Sequence, residues 1–198
     1  ISNNSSAVTT YGQINDWDVS IVTDMSDLFL NKSTFNSDIS NWDVSSVTDM
    51  SHMLYGAYTF NQNINTKEVT VDGNTYTAWN VSNVTNMDSV FHGASAFNQP
   101  IGDWNVSNVI TMGSTFRDAT AFNQPIGDWD VSSNNNLGDT FNGATSFNQP
   151  IGHWDVSNVV WMGSMFVGAQ AFKSAFPGVV DTPTVQYFPY FNAAGNPI

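Results

Sequence analysis

A tryptophan returns every 25 residues along most of this 198-residue chain, and that spacing limits what the chain can fold into more than any other feature. Trp17, Trp42, Trp79, Trp104, Trp129 and Trp154 are separated by 25, 37, 25, 25 and 25 residues, so the one long interval is a repeat carrying 12 extra residues. Val follows each of these tryptophans by two positions and Ser by three, from Val19 and Ser20 to Val156 and Ser157. Phe recurs eighteen positions after each, at Phe35, Phe60, Phe97, Phe122, Phe147 and Phe172. Self-similarity at a fixed period marks units that cannot bury an apolar face alone and must stack on their neighbours.

The period lies in the range of leucine-rich repeats. The residues therefore predict a repeat solenoid: right-handed, leucine-rich-repeat-like coils, about six of them, with one parallel β-sheet face and short helical turns. Trp and the Val two positions on share one face of a period-2 element, which places the strand there. Ile14, Ile39, Ile101, Ile126 and Ile151, each three before a Trp, complete an I-x-x-W-x-V pattern. Met25 with Leu28 and Phe29, Met50 with Met53 and Leu54, and Met162 with Met165 and Phe166 have i, i+3, i+4 spacing, which predicts the helical turn. Asp24, Asp49, Asn86, Thr111 and Asn136 stand before it as helix-start acceptors. Gly56, Gly93, Gly143 and Gly168, with Asn31 and Asp118, supply a left-handed stop. The Asn after the first five of these Phe (Asn36, Asn61, Asn98, Asn123, Asn148), replaced by Lys173 in the last coil, is placed to satisfy backbone groups of adjacent coils.

This divides the chain into an N-terminal cap over residues 1–13, six coils over 14–176, and a C-terminal cap and tail over 177–198. In the tail Tyr187, Phe188, Tyr190 and Phe191 join Trp161 over the open end. The insertion, residues 66–77, places β-prone runs on either side of Asp72-Gly73 and predicts a hairpin projecting at the rim of the second coil.

Composition narrows the function. Hydrophobic residues make up 41%, enough to exclude intrinsic disorder. Four Lys plus Arg against 17 Asp plus Glu give a net charge of −13, which excludes a surface that tracks phosphates, and with it nucleic acid as a partner. There is no cysteine, hence no disulfide scaffold, thiolate metal site or thiol nucleophile. No apolar run approaches the ~18 residues of a membrane span. A start at Ile1, with neither an initiator Met nor a signal segment, reads as a fragment or mature segment.

If Trp and Val point inward, the residues flanking Trp point outward. This makes Asp16, Asp18, Asp43, Asp103, Asp128, Asp130 and Asp155 the candidate ligand-binding ladder. Carboxylates in coils roughly 4.8 Å apart repel unless hydrated, hydrogen-bonded or bridged by a cation. Calcium would take oxygens from Asp of neighbouring coils, but no local calcium loop is present, so no cofactor is expected, calcium remains a candidate, and no metal ligands are assigned. The same strip could steer a basic protein surface. The three histidines form no metal pair. His153 with Asp155, Asp128 and Ser157 imitates a catalytic set, yet each merely occupies a repeat column, and no enzyme activity is expected. A sugar platform made from the Trp column would require that column, and the Val column with it, to face outward.

The tandem unit W-D-V-S-N-V-T-N-M-x-x-M-F-x-G-A-x-x-F-N-Q-P-I, over about residues 14–176, resembles the repeat of the BspA-like leucine-rich-repeat surface proteins, the group first labelled as a mycoplasma domain of unknown function, DUF285. Residues 103–127 and 128–152 are near-ideal copies apart from Asn134, Thr115 and Thr140 in apolar columns. The resemblance implies an extracellular or cell-surface protein, often a lipoprotein or part of a larger chain, that adheres to a protein or glycan on another cell surface, with no shared catalytic residue. The expected function is a non-catalytic surface binding module for adhesion. The alternative is a carbohydrate-recognition or calcium-stabilised structural module.

Overall fold

The structure, a computed structural model, describes residues 5–188. Trp42, Trp79, Trp104, Trp129 and Trp154 are all buried, together with the Ile, Val, Met and Phe columns. A buried indole needs a partner for its N–H, and each finds one in the preceding repeat, 28 residues upstream where no insertion intervenes. Trp42 donates to the Ile14 carbonyl at 2.7 Å, Trp129 to Ile101 at 3.2 Å and Trp154 to Ile126 at 3.0 Å. Across the insertion the partners become Ile39 for Trp79 at 2.9 Å and Ile64 for Trp104 at 3.0 Å. The extra residues thus lie between Ile64 and Trp79, and the pairing of repeats continues past them. Trp17 has no repeat before it; it is 36% exposed and donates to Tyr11 O at 2.9 Å.

Two columns of phenylalanine run through the core side by side. Within a repeat the rings lie face to face, with centroids 4.2 Å apart for Phe91 and Phe97, 4.0 Å for Phe116 and Phe122, and 4.1 Å for Phe141 and Phe147. Between repeats the spacing is 5.6 Å for Phe91 to Phe116 and 6.0 Å for Phe97 to Phe122. The Asn column links repeats on the outside. Asn98 Oδ1 accepts the Asn123 backbone N–H at 2.9 Å and Gln124 Nε2 at 2.9 Å, and Asn123 does the same for Asn148 at 2.9 Å and Gln149 at 3.0 Å.

The expectation of right-handed leucine-rich-repeat coils with a parallel sheet and helical turns is overturned. Among the described residues the strands are β1 (Lys67–Val71) and β2 (Asn74–Ala78), an antiparallel pair confined to the insertion. Of the α-helices, α1 (Ser5–Tyr11) precedes the repeats and α2 (Gln170–Ala175) closes the sixth, and single 3-10 turns occur at Ile14–Asp16 and Val185–Tyr187. Parallel pairing is one residue wide and runs through Asp24, Asp49, Asn86, Thr111, Asn136 and Trp161.

The reason lies in the backbone of the segment read as helical. Met25, Asp27, Phe29 and Asn31 donate N–H groups to Asp49, Ser51, Met53 and Tyr55 of the next repeat, while Leu28, Leu30 and Lys32 close turns onto Met25, Asp27 and Phe29. Asp27 and Asn31 are left-handed, with φ of 58° and 57°, and so are His52, Ser89, Ser114, Asp139 and Ser164 at the column of Asp27. A left-handed residue there stops an α-helix before its first turn is complete and sends alternate N–H groups to the neighbour. The i, i+3, i+4 spacing therefore records Met and Phe pointing inward from a train of β-turns. The Trp segment is likewise turned, with Trp42 N–H closing onto Ile39 O at 3.2 Å and Val47 onto Val44 O at 2.9 Å.

Polar residues in the apolar columns differ in how well they are satisfied. Thr115 Oγ1 reaches Met87 O at 2.9 Å and Met112 O at 2.8 Å, and Thr140 Oγ1 reaches Met112 O at 3.1 Å and Leu137 O at 2.8 Å. Asn134 is fully buried; its Oδ1 accepts the Asn136 N–H at 3.0 Å, but its Nδ2 has no partner. An orphaned buried donor costs about 1–3 kcal/mol. Asn134→Val, which restores the residue held by Val47, Val84, Val109 and Val159, is expected to raise stability by about 1 kcal/mol. A melting temperature equal to or below that of the parent would contradict this.

Candidate functional site

The inserted hairpin positions the site. Its tip, Asp72-Gly73, has φ of 51° and 81°, the two left-handed residues of the turn whose twist suits a hairpin. The register pairs Val69 with Tyr76 and Thr70 with Thr75. Alternation then gives one face with Val69 and Tyr76, packed against the core, and one polar face on which Thr70 and Thr75 hydroxyls meet at 2.8 Å and Thr77 donates to Glu68 at 2.7 Å. The hairpin does not project from a rim. Tyr76 donates its hydroxyl to Asn41 O at 2.6 Å and Lys67 Nζ reaches Ser40 Oγ at 3.0 Å, which folds the strands back over the first two repeats.

A cleft of about 530 Å³ separates the hairpin from those repeats, with Asp16, Trp17, Asp18 and Asp43 on one wall and Val71 and Tyr76 on the other. Three of the seven acids expected to bind a ligand are thus gathered under one roof. Among the described residues none of the three makes an ion pair. Their field is felt by Tyr76: burial pushes its hydroxyl above the usual phenol range, and Asp43, Asp18 and Asp16 push it further. Trp17 and Val71, 36% and 50% exposed, give the cleft an apolar lining beside its charge.

The outward acids also have local work. Asp18 Oδ1 accepts Ser20 Oγ at 2.6 Å and Ser20 N at 3.0 Å, and Asp130 does the same with Ser132 at 2.6 Å and 3.0 Å. Asp43 and Asp155 accept the N–H of Ser45 and Ser157, each at 3.0 Å. The hydroxyl, and after it the amide, holds Asp18 and Asp130 below the ordinary carboxylate range, because both bonds favour the charged form. A depressed carboxylate stabilises the fold above its unfolded value, and that contribution is lost as pH falls through the folded value. Removing the hydroxyl in Ser132→Ala should therefore move the Asp130 titration midpoint upward, as read by carboxyl NMR. A midpoint that stays put would refute the assignment.

The second group of acids is not brought into the cleft. Asp103, Asp128, Asp130 and Asp155 stand exposed on later repeats, and Asp103 accepts Asn65 Nδ2 at 2.7 Å. Among the described residues no three His, Cys, Asp or Glu side chains form a group that could hold a metal ion. His153 is exposed and, among the described residues, makes no hydrogen bond or ion pair with Asp128, Asp155 or Ser157. Tyr190 and Phe191 of the aromatic tail lie outside the described residues. Sequence reasoning missed Tyr76 and Trp17 as walls of a site. The alternation of Val69, Val71 and Tyr76 against Glu68, Thr70, Thr75 and Thr77 was the available signal that one hairpin face must lie against the body.

No helix among the described residues is long and apolar enough to cross a membrane. No curated protein and no solved structure matches the chain. Residues 2–74 and 66–178 each match the family described as "Mycoplasma protein of unknown function, DUF285", two overlapping segments that together take in most of the sequence, and the chain belongs to that family.

Proposed function

We propose that the protein is a non-catalytic binding module displayed at a cell surface, where it acts in adhesion by engaging a basic surface on a partner protein, in keeping with its resemblance to BspA-like proteins. The supporting observation is the cleft in which the hairpin faces Asp16, Asp18 and Asp43, none of them ion-paired among the described residues, in a chain of net charge −13. Charges held in a concavity focus the field and speed the approach of an oppositely charged partner. Such attraction contributes to the on-rate and to the choice of partner, and it weakens with salt.

The test is retention of protein-coated beads on cultured cells under flow. Coated beads should be retained above albumin-coated controls and released as ionic strength rises. Combining Asp16→Asn, Asp18→Asn and Asp43→Asn should lower retention roughly tenfold, the scale of one to two kcal/mol across several weakened charge contacts. Retention at the control level, or a triple variant that adheres as well as the parent, defeats the proposal.

A further inference from the structure

A second feature lies in the sixth repeat, away from the cleft. The column that pairs the repeats is polar at Asp24, Asp49, Asn86, Thr111 and Asn136, and then ends in Trp161. Unlike the tryptophans of the core, Trp161 is 61% exposed, and Val160 beside it is 85% exposed. Two glycines hold the ring flat. A Cβ on Gly138 would overlap the indole Cδ1 and Nε1, and a Cβ on Gly163 would overlap Cζ2 of the same ring. One edge of the indole thus rests on the preceding repeat and the other on its own, with the opposite face turned to solvent.

A groove of about 570 Å³ runs along this ring, bounded on the other side by Thr182, Pro183, Thr184, Val185 and Gln186, where Thr182 Oγ1 accepts the Ser164 N–H at 2.9 Å and the Thr184 hydroxyl and Gln186 amide face outward with Val185. None of its lining residues is charged, in a molecule that carries 17 acids. We propose that this groove binds a neutral pyranose sugar, whose C–H face would stack on Trp161 while its hydroxyls pair with the amide and hydroxyl groups opposite.

The chemistry selects that ligand over others. A cation would find no carboxylate in the groove. An apolar peptide face would strip water from Thr184 and Gln186 and return no hydrogen bonds, which costs free energy for each group left unpaired. A sugar offers both an apolar face and a donor or acceptor for each of them. A sugar platform built from the repeated tryptophan column is closed, because Trp42, Trp79, Trp104, Trp129 and Trp154 are buried; Trp161 meets the requirement from a different column. The inference does not depend on the acidic cleft.

The test uses the full chain on an array of neutral hexose and N-acetylhexosamine oligosaccharides. The parent should bind at least one of them. Trp161→Asn, which installs the residue held by Asn136 in the same column, should bind it roughly tenfold more weakly, the equivalent of about 1.4 kcal/mol, while melting close to the parent. The cleft variant Asp16→Asn with Asp18→Asn should bind as the parent does. A measurement that needs no variant runs in parallel: the bound oligosaccharide should shield an exposed indole from acrylamide quenching. Failure of the parent to bind any neutral glycan, undiminished binding by Trp161→Asn, or a quenching curve unmoved by the glycan would each overturn the proposal.

Discussion

Replacing Phe116 with alanine should destabilise the protein by about 3–5 kcal/mol, the range for deleting a buried ring that its surroundings cannot replace. Phe116 is 1% exposed and stacks on Phe122 at 4.0 Å, Phe91 at 5.6 Å and Phe141 at 5.7 Å, with Trp129 at 6.2 Å. Its removal therefore opens a gap shared by three successive repeats. The neighbouring rings cannot slide into that gap, because each is held at a fixed distance by the turn-to-turn hydrogen bonds of its own repeat. In a stack whose units contact only their neighbours, damage at a middle repeat weakens two interfaces at once. Urea unfolding of the variant beside the parent measures the loss, and a change below about 1 kcal/mol would show that the core collapses around the hole.

Gly127→Ala should also be costly, for a reason unrelated to backbone freedom. A Cβ at Gly127 would overlap the carbonyl oxygen of Pro150 in the next repeat, and one at Gly102 would lie 2.9 Å from the oxygen of Pro125. A backbone oxygen cannot rotate aside as a side chain can, so the two repeats must move apart. Overpacking of this kind costs about 1–3 kcal/mol. The Gly102 variant, with the smaller overlap, should lose less. Equal melting temperatures for the Gly127 variant and its parent would mean that the spacing between repeats is softer than the ladder of indole-to-carbonyl bonds implies.

What could be read in advance divides along a physical line. The inward columns were legible because burial acts alike on the repeats that have a neighbour on each side, and Trp42, Val44, Met50 and Phe60 are as buried as their spacing implies. The left-handed positions Gly56, Gly93, Gly143 and Gly168, with Asn31 and Asp118, were legible because few residues tolerate that conformation. Backbone architecture was not. Met50, Met53 and Leu54 satisfy the same spacing on a helix or on successive β-turns, and the deciding residue, His52 at φ 55°, is not a residue that announces itself as left-handed. In the site, Asp16, Asp18 and Asp43 belong to the outward ladder that the spacing predicts, but the roof over them depends on Tyr76 reaching Asn41, a contact between residues 35 apart that no periodicity encodes.

The indole-to-carbonyl pairing described for the fold has one more consequence. Trp104 finds Ile64 and Trp79 finds Ile39 although twelve residues have been spliced in between, so the interval between that isoleucine and its tryptophan is a socket in the architecture. Any excursion whose two ends return as close together as the paired Lys67 and Ala78 could be plugged in there, leaving the column of rings beneath it undisturbed. The same scaffold can thus carry a different tool on any tier, and diversity among such chains should accumulate at that one seam.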